Sequence, residues 1–253
     1  MVKRYICPGD IHGCLAEFRL LLDKVNYDPA NDVVCCVGDL VDRGSDSPGV
    51  VRFCIENGFR SVMGNHDAKL VRRWRHVLKH RANSSYKIPM NHSDDQMKTI
   101  NELTNREMGW IADLPFYIEL PEFKAVVIHA GLMPGVPLHH QTKEILSMLR
   151  YMNKDTHRML SLQYPDFSVP PDSVFWAEVY DGQPDVIFGH EVVSLCDIKT
   201  WERPEFGKCF GIDTGCAFGG RLSCIVLDTE KPLEREIVQV QALKEYCAAS
   251  KRY

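Results

Sequence analysis

Val2-Lys-Arg-Tyr-Ile-Cys-Pro-Gly-Asp-Ile-His-Gly13 is the stretch on which the architecture of this chain turns. Its apolar run, Val2–Cys7, reads as a buried strand that ends in a glycine followed by two residues of metal-ligand type. A helical pattern comes next over Leu15–Val25, with apolar residues at 15, 18, 21, 22 and 25. A second apolar run, Val33–Val37, then ends in Gly38-Asp39. Gly49–Glu56 repeats the helical pattern, and Arg60–Met63, Ala125–Ile128 and Val186–Phe188 repeat the strand. Strand and helix in alternation predict a largely parallel sheet flanked by helices, an α/β chain. Near the end, Lys208–Asp213, Arg221–Asp228 and Glu234–Gln241 read as consecutive strands joined by short turns. They predict a second, more antiparallel sheet closing the domain.

Between these elements, Asn83–Asp95 is polar and irregular, a loop or insertion. Thr104-Asn-Arg-Glu107 has the spacing of a capping box and opens a helix through Trp110 and Ile111. Tyr164–Asp172, with three prolines, is another surface loop. No internal repeat or long linker divides the 253 residues, so residues 1–253 are expected to form one domain with an insertion around 83–95.

A formal net charge of −4 excludes the global basic field of a general nucleic-acid binder, so an anionic ligand must be held by local charge. The ten cysteines are scattered without a CxxC pair. Cys35 and Cys36 are adjacent on a strand and point to opposite faces, which suits buried thiols and a cytoplasmic protein. No apolar stretch of membrane-spanning length and no signal-peptide pattern is present, so no membrane partner is expected.

Five clusters carry residues of metal-ligand type: Gly9-Asp10-Ile11-His12-Gly13, Gly38-Asp39-Leu40-Val41-Asp42-Arg43-Gly44, Gly64-Asn65-His66-Asp67, His129-Ala130-Gly131 and Gly189-His190. Most follow a predicted strand directly. In an open α/β sheet the C-terminal strand ends meet in one crevice, so these residues can converge. Asp, His and Asn donors without thiolate suit manganese, iron or zinc and argue against an iron–sulfur cluster.

The order of these motifs resembles the calcineurin-like metallophosphoesterase family, in its phosphoprotein-phosphatase branch. That resemblance implies a β-sandwich of mixed sheets with helices on both outer faces. It implies two divalent ions, manganese first, with iron, zinc or cobalt as alternatives. Asp10, His12 and Asp39 would hold one ion, and Asp39 would bridge to a second held by Asn65, His129 and His190. Two such ions about 3.5–4 Å apart activate a shared water and clamp phosphoryl oxygens. His66 is left over from the ligand set, and the resemblance makes it the general acid, with Asp42 on its other ring nitrogen. Arg43 would grip phosphate, with Asn65 contributing to the same contact.

The late segment Asp213–Leu227 resembles that of the symmetrical diadenosine tetraphosphatases, and Ser147-Met-Leu-Arg150-Tyr-Met resembles a second segment of that group. Arg150 is thereby a further candidate for phosphate contact. The resemblance implies symmetrical hydrolysis of diadenosine tetraphosphate or a related nucleoside polyphosphate, with an RNA 5′ end as a close variant. A Ser/Thr protein phosphatase is the main alternative; a polyphosphatase and a binding-only relic are others. Glu191-Val-Val after His190 is nearer the protein-phosphatase pattern, and the 83–95 insertion departs from the bacterial enzymes. Val71–Arg81, with five Lys/Arg and two His, either steers a polyanion or is a solvated helix face with Trp74, Val77 and Leu78 turned inward.

Overall fold

A computed structural model of the chain describes residues 2–161 and 168–248. The chain opens with β1 (Arg4–Pro8), α1 (Leu15–Lys24), β2 (Asp32–Cys36), α2 (Ser47–Glu56) and the short β3 (Arg60–Ser61). Three helices follow: α3 (Asn65–Ala82), α4 (Asp94–Glu102) and α5 (Asn105–Ala112). After them come β4 (Tyr117–Leu120), β5 (Ala125–Ile128) and α6 (Lys143–Met148). The strands that follow are β6 (Tyr151–Asn153), β7 (Met159–Leu160), β8 (Ser173–Phe175), β9 (Asp185–Phe188), β10 (Lys199–Trp201), β11 (Cys209–Gly211), β12 (Arg221–Asp228) and β13 (Lys231–Gln241).

Two five-stranded mixed sheets face each other, in the orders β13-β12-β1-β2-β3 and β10-β11-β9-β5-β4. In the first, β1, β2 and β3 run parallel and β12 joins β1 antiparallel. In the second, β5, β9 and β11 run parallel, with β4 and β10 as antiparallel edges. The expected second sheet of late strands is corrected here. β12 and β13 extend the first sheet, and only β11 of that trio enters the second. A third, small sheet (β7-β6-β8), edge strands β4 and β10, and helix α4 were not anticipated from the sequence. α4 begins at Asp94, so the irregular segment is shorter than 83–95. Of the expected loop at 164–172, residues 164–167 lie outside the described residues.

Period-two alternation sorts the sheet residues into layers. Cys7, Cys35, Val37, Val127, Ile187 and Ile225 fill the space between the sheets. Their neighbours Ile6, Val34 and Cys36 turn outward against Phe18, Leu21 and Leu22 of α1 and the apolar faces of α2, α3 and α5. On the far side, Val126, Ile128, Val186 and Phe188 pack on Trp176, Leu146 and the small sheet. Cys35 and Cys36 therefore do point to opposite layers, and all ten cysteines are free. Burial pushes the Cys35 thiol up to about 12, so it behaves as a small apolar group. The Thr104–Glu107 capping box is present: Thr104 Oγ1 accepts from Glu107 N at 3.2 Å, and Glu107 Oε2 accepts from Thr104 N at 2.6 Å. No helix among the described residues is long and apolar enough to cross a membrane.

Candidate metal centre

Because β1, β2 and β3 run parallel in one sheet and β5, β9 and β11 in the other, the segments leaving their C-terminal ends meet at one rim of the sandwich. Asp10 and His12 follow β1, Asp39 follows β2, Asn65 and His66 open α3, and His129 and His190 follow β5 and β9. Asp67 fastens two of these segments together, accepting from Leu40 N at 3.0 Å and from Gly64 N at 3.1 Å. Close approach explains two of the glycines. A Cβ on Gly64 would lie 2.2 Å from Asp39 N and Oδ1, and one on Gly189 would lie 1.8 Å from Asp10 Oδ1.

Asp39 stands at the middle. Its Oδ2 is 3.5 Å from His12 Nε2, and its Oδ1 is 3.5 Å from His129 Nε2. Asp10 Oδ2 is 3.9 Å from the same nitrogen of His12, and Asn65 Oδ1 is 2.9 Å from His129 Nε2. Donor atoms of His12, Asp39 and His66, and those of Asp39, His129 and His190, converge within 4.8 Å in each set. Asp39 is common to both.

The chemistry of these donors fits divalent cations. The Nδ1 atoms of His12 and His129 lie 2.8 Å and 2.9 Å from the carbonyls of Val41 and Val37. A carbonyl only accepts, so each Nδ1 carries the proton and each Nε2 turns a lone pair toward the carboxylates. Burial, then the Arg43 guanidinium, holds His12 well below the usual imidazole range. Burial, with Arg150 and His129 beside it, does the same for His190. Burial would raise Asp39, but positive charge around it, the Arg43 guanidinium included, outweighs burial and holds its carboxyl below the ordinary range.

One carboxylate escaped the sequence reading. Asp213 follows β11, is buried, and has Oδ2 without a hydrogen-bond partner among the described residues. Burial lifts it to about 6, against the bond from Gly215 N and the nearby Arg43. Burial, then Asp213 and Asp39, lifts Asp10 well above its usual value. Asp10, Asp39 and Asp213 thus crowd negative charge that dications would neutralise. The missed signal was the pattern of the other clusters, an apolar run ending in Asp-Thr-Gly.

His66 Nδ1 donates to Asp42 Oδ2 at 2.7 Å. Gln96 Nε2, from α4, donates to the same oxygen at 2.8 Å. Gln96 Oε1 in turn accepts from the buried Arg73 Nε at 2.7 Å. Gln96 carries no motif in the sequence, and Arg73 stands out there only as one of five Lys/Arg in the stretch 71–81. Arg43 spans His12 Nε2 (2.8 Å) and His66 Nε2 (3.2 Å) and lies over the Phe218 ring at 4.8 Å. Arg150 sits at the same rim, bonded to Glu191 Oε2 at 2.7 Å and to the His190 carbonyl at 3.1 Å. Trp176 and Tyr180 are core residues: Trp176 packs on Phe188, and Tyr180 meets it edge-on.

The backbone here is unusual. His12, Asp39, Asp42, Arg43 and His190 all have left-handed φ values, of 45°, 49°, 70°, 69° and 69°. That region is disfavoured for every residue with a Cβ, although Asp and His tolerate it better than most.

Comparison with known proteins identifies the family. A family model described as Calcineurin-like phosphoesterase matches residues 4–218. An asymmetrical bis(5′-nucleosyl)-tetraphosphatase, PrpE, of Anoxybacillus flavithermus is 30% identical over 258 residues, covering 96% of each chain. A symmetrical bis(5′-nucleosyl)-tetraphosphatase of Actinobacillus pleuropneumoniae is 25% identical, covering 86% of this chain and 93% of its own. A solved structure of a candidate diadenosine tetraphosphatase superposes with a TM-score of 0.75 at 29% identity over 96% of both chains. With the matched region running from β1 through the last of these motifs, this chain belongs to the calcineurin-like phosphoesterase family, whose members are metal-dependent hydrolases.

Proposed function

We propose that this protein is a dinuclear-metal phosphohydrolase of dinucleoside polyphosphates, cleaving diadenosine tetraphosphate at a phosphoanhydride. The observation that carries the dinuclear reading is Asp39, whose two oxygens each lie 3.5 Å from a different histidine Nε2. Asp10 and His12 would hold one ion, Asn65, His129 and His190 the other, and Asp39 both. Ions held there would supply Lewis-acid charge and lower the pKa of a nearby water, manganese being the metal of first choice.

The protein's own groups do the rest. Asp42 holds the proton on His66 Nδ1 and stabilises the imidazolium, so that Nε2 can protonate the leaving oxygen. Arg43 now bridges two ring nitrogens; a phosphate oxygen is the stronger acceptor and draws its planar fork away from them. Asn65 offers a neutral donor at the same place. Arg150, braced by Glu191, is a second cation at the rim for a neighbouring phosphate.

The nucleotide reading draws support from the named relatives and from the Asp213–Leu227 segment. That segment favours symmetrical cleavage to two ADP, whereas the Anoxybacillus relative favours the asymmetrical outcome, ATP and AMP. Chromatography of the products formed from diadenosine tetraphosphate with manganese decides between them. Intact nucleotide alongside rapid dephosphorylation of phosphopeptides would reverse the assignment to a protein phosphatase. An RNA 5′ end tested as competitor separates the cap-directed variant. Ten free cysteines support a reducing, cytoplasmic setting for this activity, carried on one domain over residues 1–253.

A further inference from the structure

Beside the metal centre lies a second concavity, a cleft of about 1000 Å³ walled by α3 and the segment 88–93. Lys69, Arg72, Arg73 and His76 line one side, and Asn91 and His92 stand on the other. Among the described residues no carboxylate lines it. Its charge is largely uncancelled. Lys69 and Arg72 are exposed and make no hydrogen bond or ion pair among the described residues. Arg73 is buried, yet its bonds go to neutral acceptors, Gln96 Oε1 at 2.7 Å and the Asn91 carbonyl at 2.6 Å. Only His92 has an acidic partner, Asp94 at 2.7 Å. In a chain of net charge −4, this is a local concentration of positive charge and not a reflection of composition.

Its place is as telling as its charge. Along α3, His66, Lys69, Arg73 and His76 recur at intervals of three or four residues, so they share one helix face. At ~1.5 Å per residue, that stripe runs about 15 Å from His66 into the cleft. Arg73 belongs to both places, because it leads through Gln96 to Asp42 and His66.

We infer that the cleft is an anion subsite for the far phosphates of a linear phosphate chain whose reacting phosphoryl group lies at the metal centre. This rests on the reading of that centre as a phosphoryl-hydrolysing site, and not on the nucleoside. Lysine and arginine at the mouth bind successive phosphates by charge-assisted hydrogen bonds, while a short monoester never reaches them. The basic stretch 71–81 thereby acquires a role on one face, while Val71 and Val77 pack inward on another.

The test uses the manganese-loaded full chain hydrolysing p-nitrophenyl phosphate, with manganese in excess over every added phosphate. Inhibition constants are measured for orthophosphate and for inorganic tetraphosphate. In the double variant Lys69→Gln/Arg72→Gln, which alters exposed side chains only, the constant for tetraphosphate should rise about tenfold and that for orthophosphate by less than about twofold. The tetraphosphate effect should shrink as salt is added. No change for tetraphosphate, or an equal rise for both inhibitors, overturns the inference. If the KM for diadenosine tetraphosphate rises in step, the subsite serves the nucleotide's chain; if it does not, the subsite serves inorganic polyphosphate. A wild-type protein that leaves diadenosine tetraphosphate intact, yet shows the split in inhibition constants, removes the nucleotide assignment and keeps the subsite.

Discussion

Gln96 donates to Asp42 Oδ2 from 2.8 Å, sharing that oxygen with His66 and reaching it from α4, fifty-four residues away in sequence. The amide has only one way to face, since its oxygen is taken by Arg73. Gln96→Ala should lower kcat about tenfold on alkyl phosphates, whose departure needs a proton, with little change in KM. On p-nitrophenyl phosphate, whose leaving group needs none, the loss should be small. Equal losses on both would make Gln96 a general structural support.

His66→Asn keeps a hydrogen-bonding side chain but removes the titratable nitrogen. It should cost ~10²–10⁴ in rate on poor leaving groups while metal content stays at the wild-type level. Full activity on an alkyl ester would sink the acid assignment.

Asp39→Asn removes the one carboxylate shared by both donor sets. Metal analysis by plasma emission should find both ions depleted, with activity lost in proportion. Loss of a single ion would mean that Asp39 does not bridge.

Asp213→Asn isolates the crowding of negative charge. Burial raises Asp213 to about 6 in the folded chain, above its unfolded value. A carboxyl shifted this way contributes stability below its unfolded pKa and loses it as pH rises through the folded one. Stripped of metal, the Asn variant should therefore melt above wild type near about pH 7.5, with the gap closing as pH falls through about 6. With manganese bound the order should invert, because the neutral side chain no longer offsets dication charge. Differential scanning calorimetry at two pH values, with and without chelator, reads all four states.

Thr104→Ala breaks the capping box that starts α5 and touches none of the candidate site residues. Urea denaturation should place its cost at about 1 kcal/mol with kcat unaffected.

Much of the centre was legible because each of its donors sits in a short motif at a strand end, where topology brings distant residues together. Asp10, His12, Asp39, Asn65, His129 and His190 meet at one rim for that reason, and the His66–Asp42 pair with them. Asp213 carries the same signature but lies in a run of strands whose sheet membership depends on long-range pairing. β12 joins β1 across more than two hundred residues, and no local pattern records that. Gln96 escaped for a different reason. A neutral amide in a short, polar helix has no charge or motif to mark it, and only the folded path of α4 delivers it to Asp42. The small sheet of β6, β7 and β8 is built from strands too short to alternate visibly.

Five of the residues proposed for the chemistry hold a backbone shape that glycine would adopt freely. At about 1–3 kcal/mol for each non-glycine residue so placed, their combined burden is comparable with the ~5–15 kcal/mol that holds a typical domain folded. Asp and His bear it more lightly than most side chains, and Arg43 less so. Selection for thermal endurance alone would then work against function. In a library of this chain sorted only for survival after heating, glycine should accumulate at positions 12, 39, 42, 43 and 190, and the survivors would be sturdier and inert.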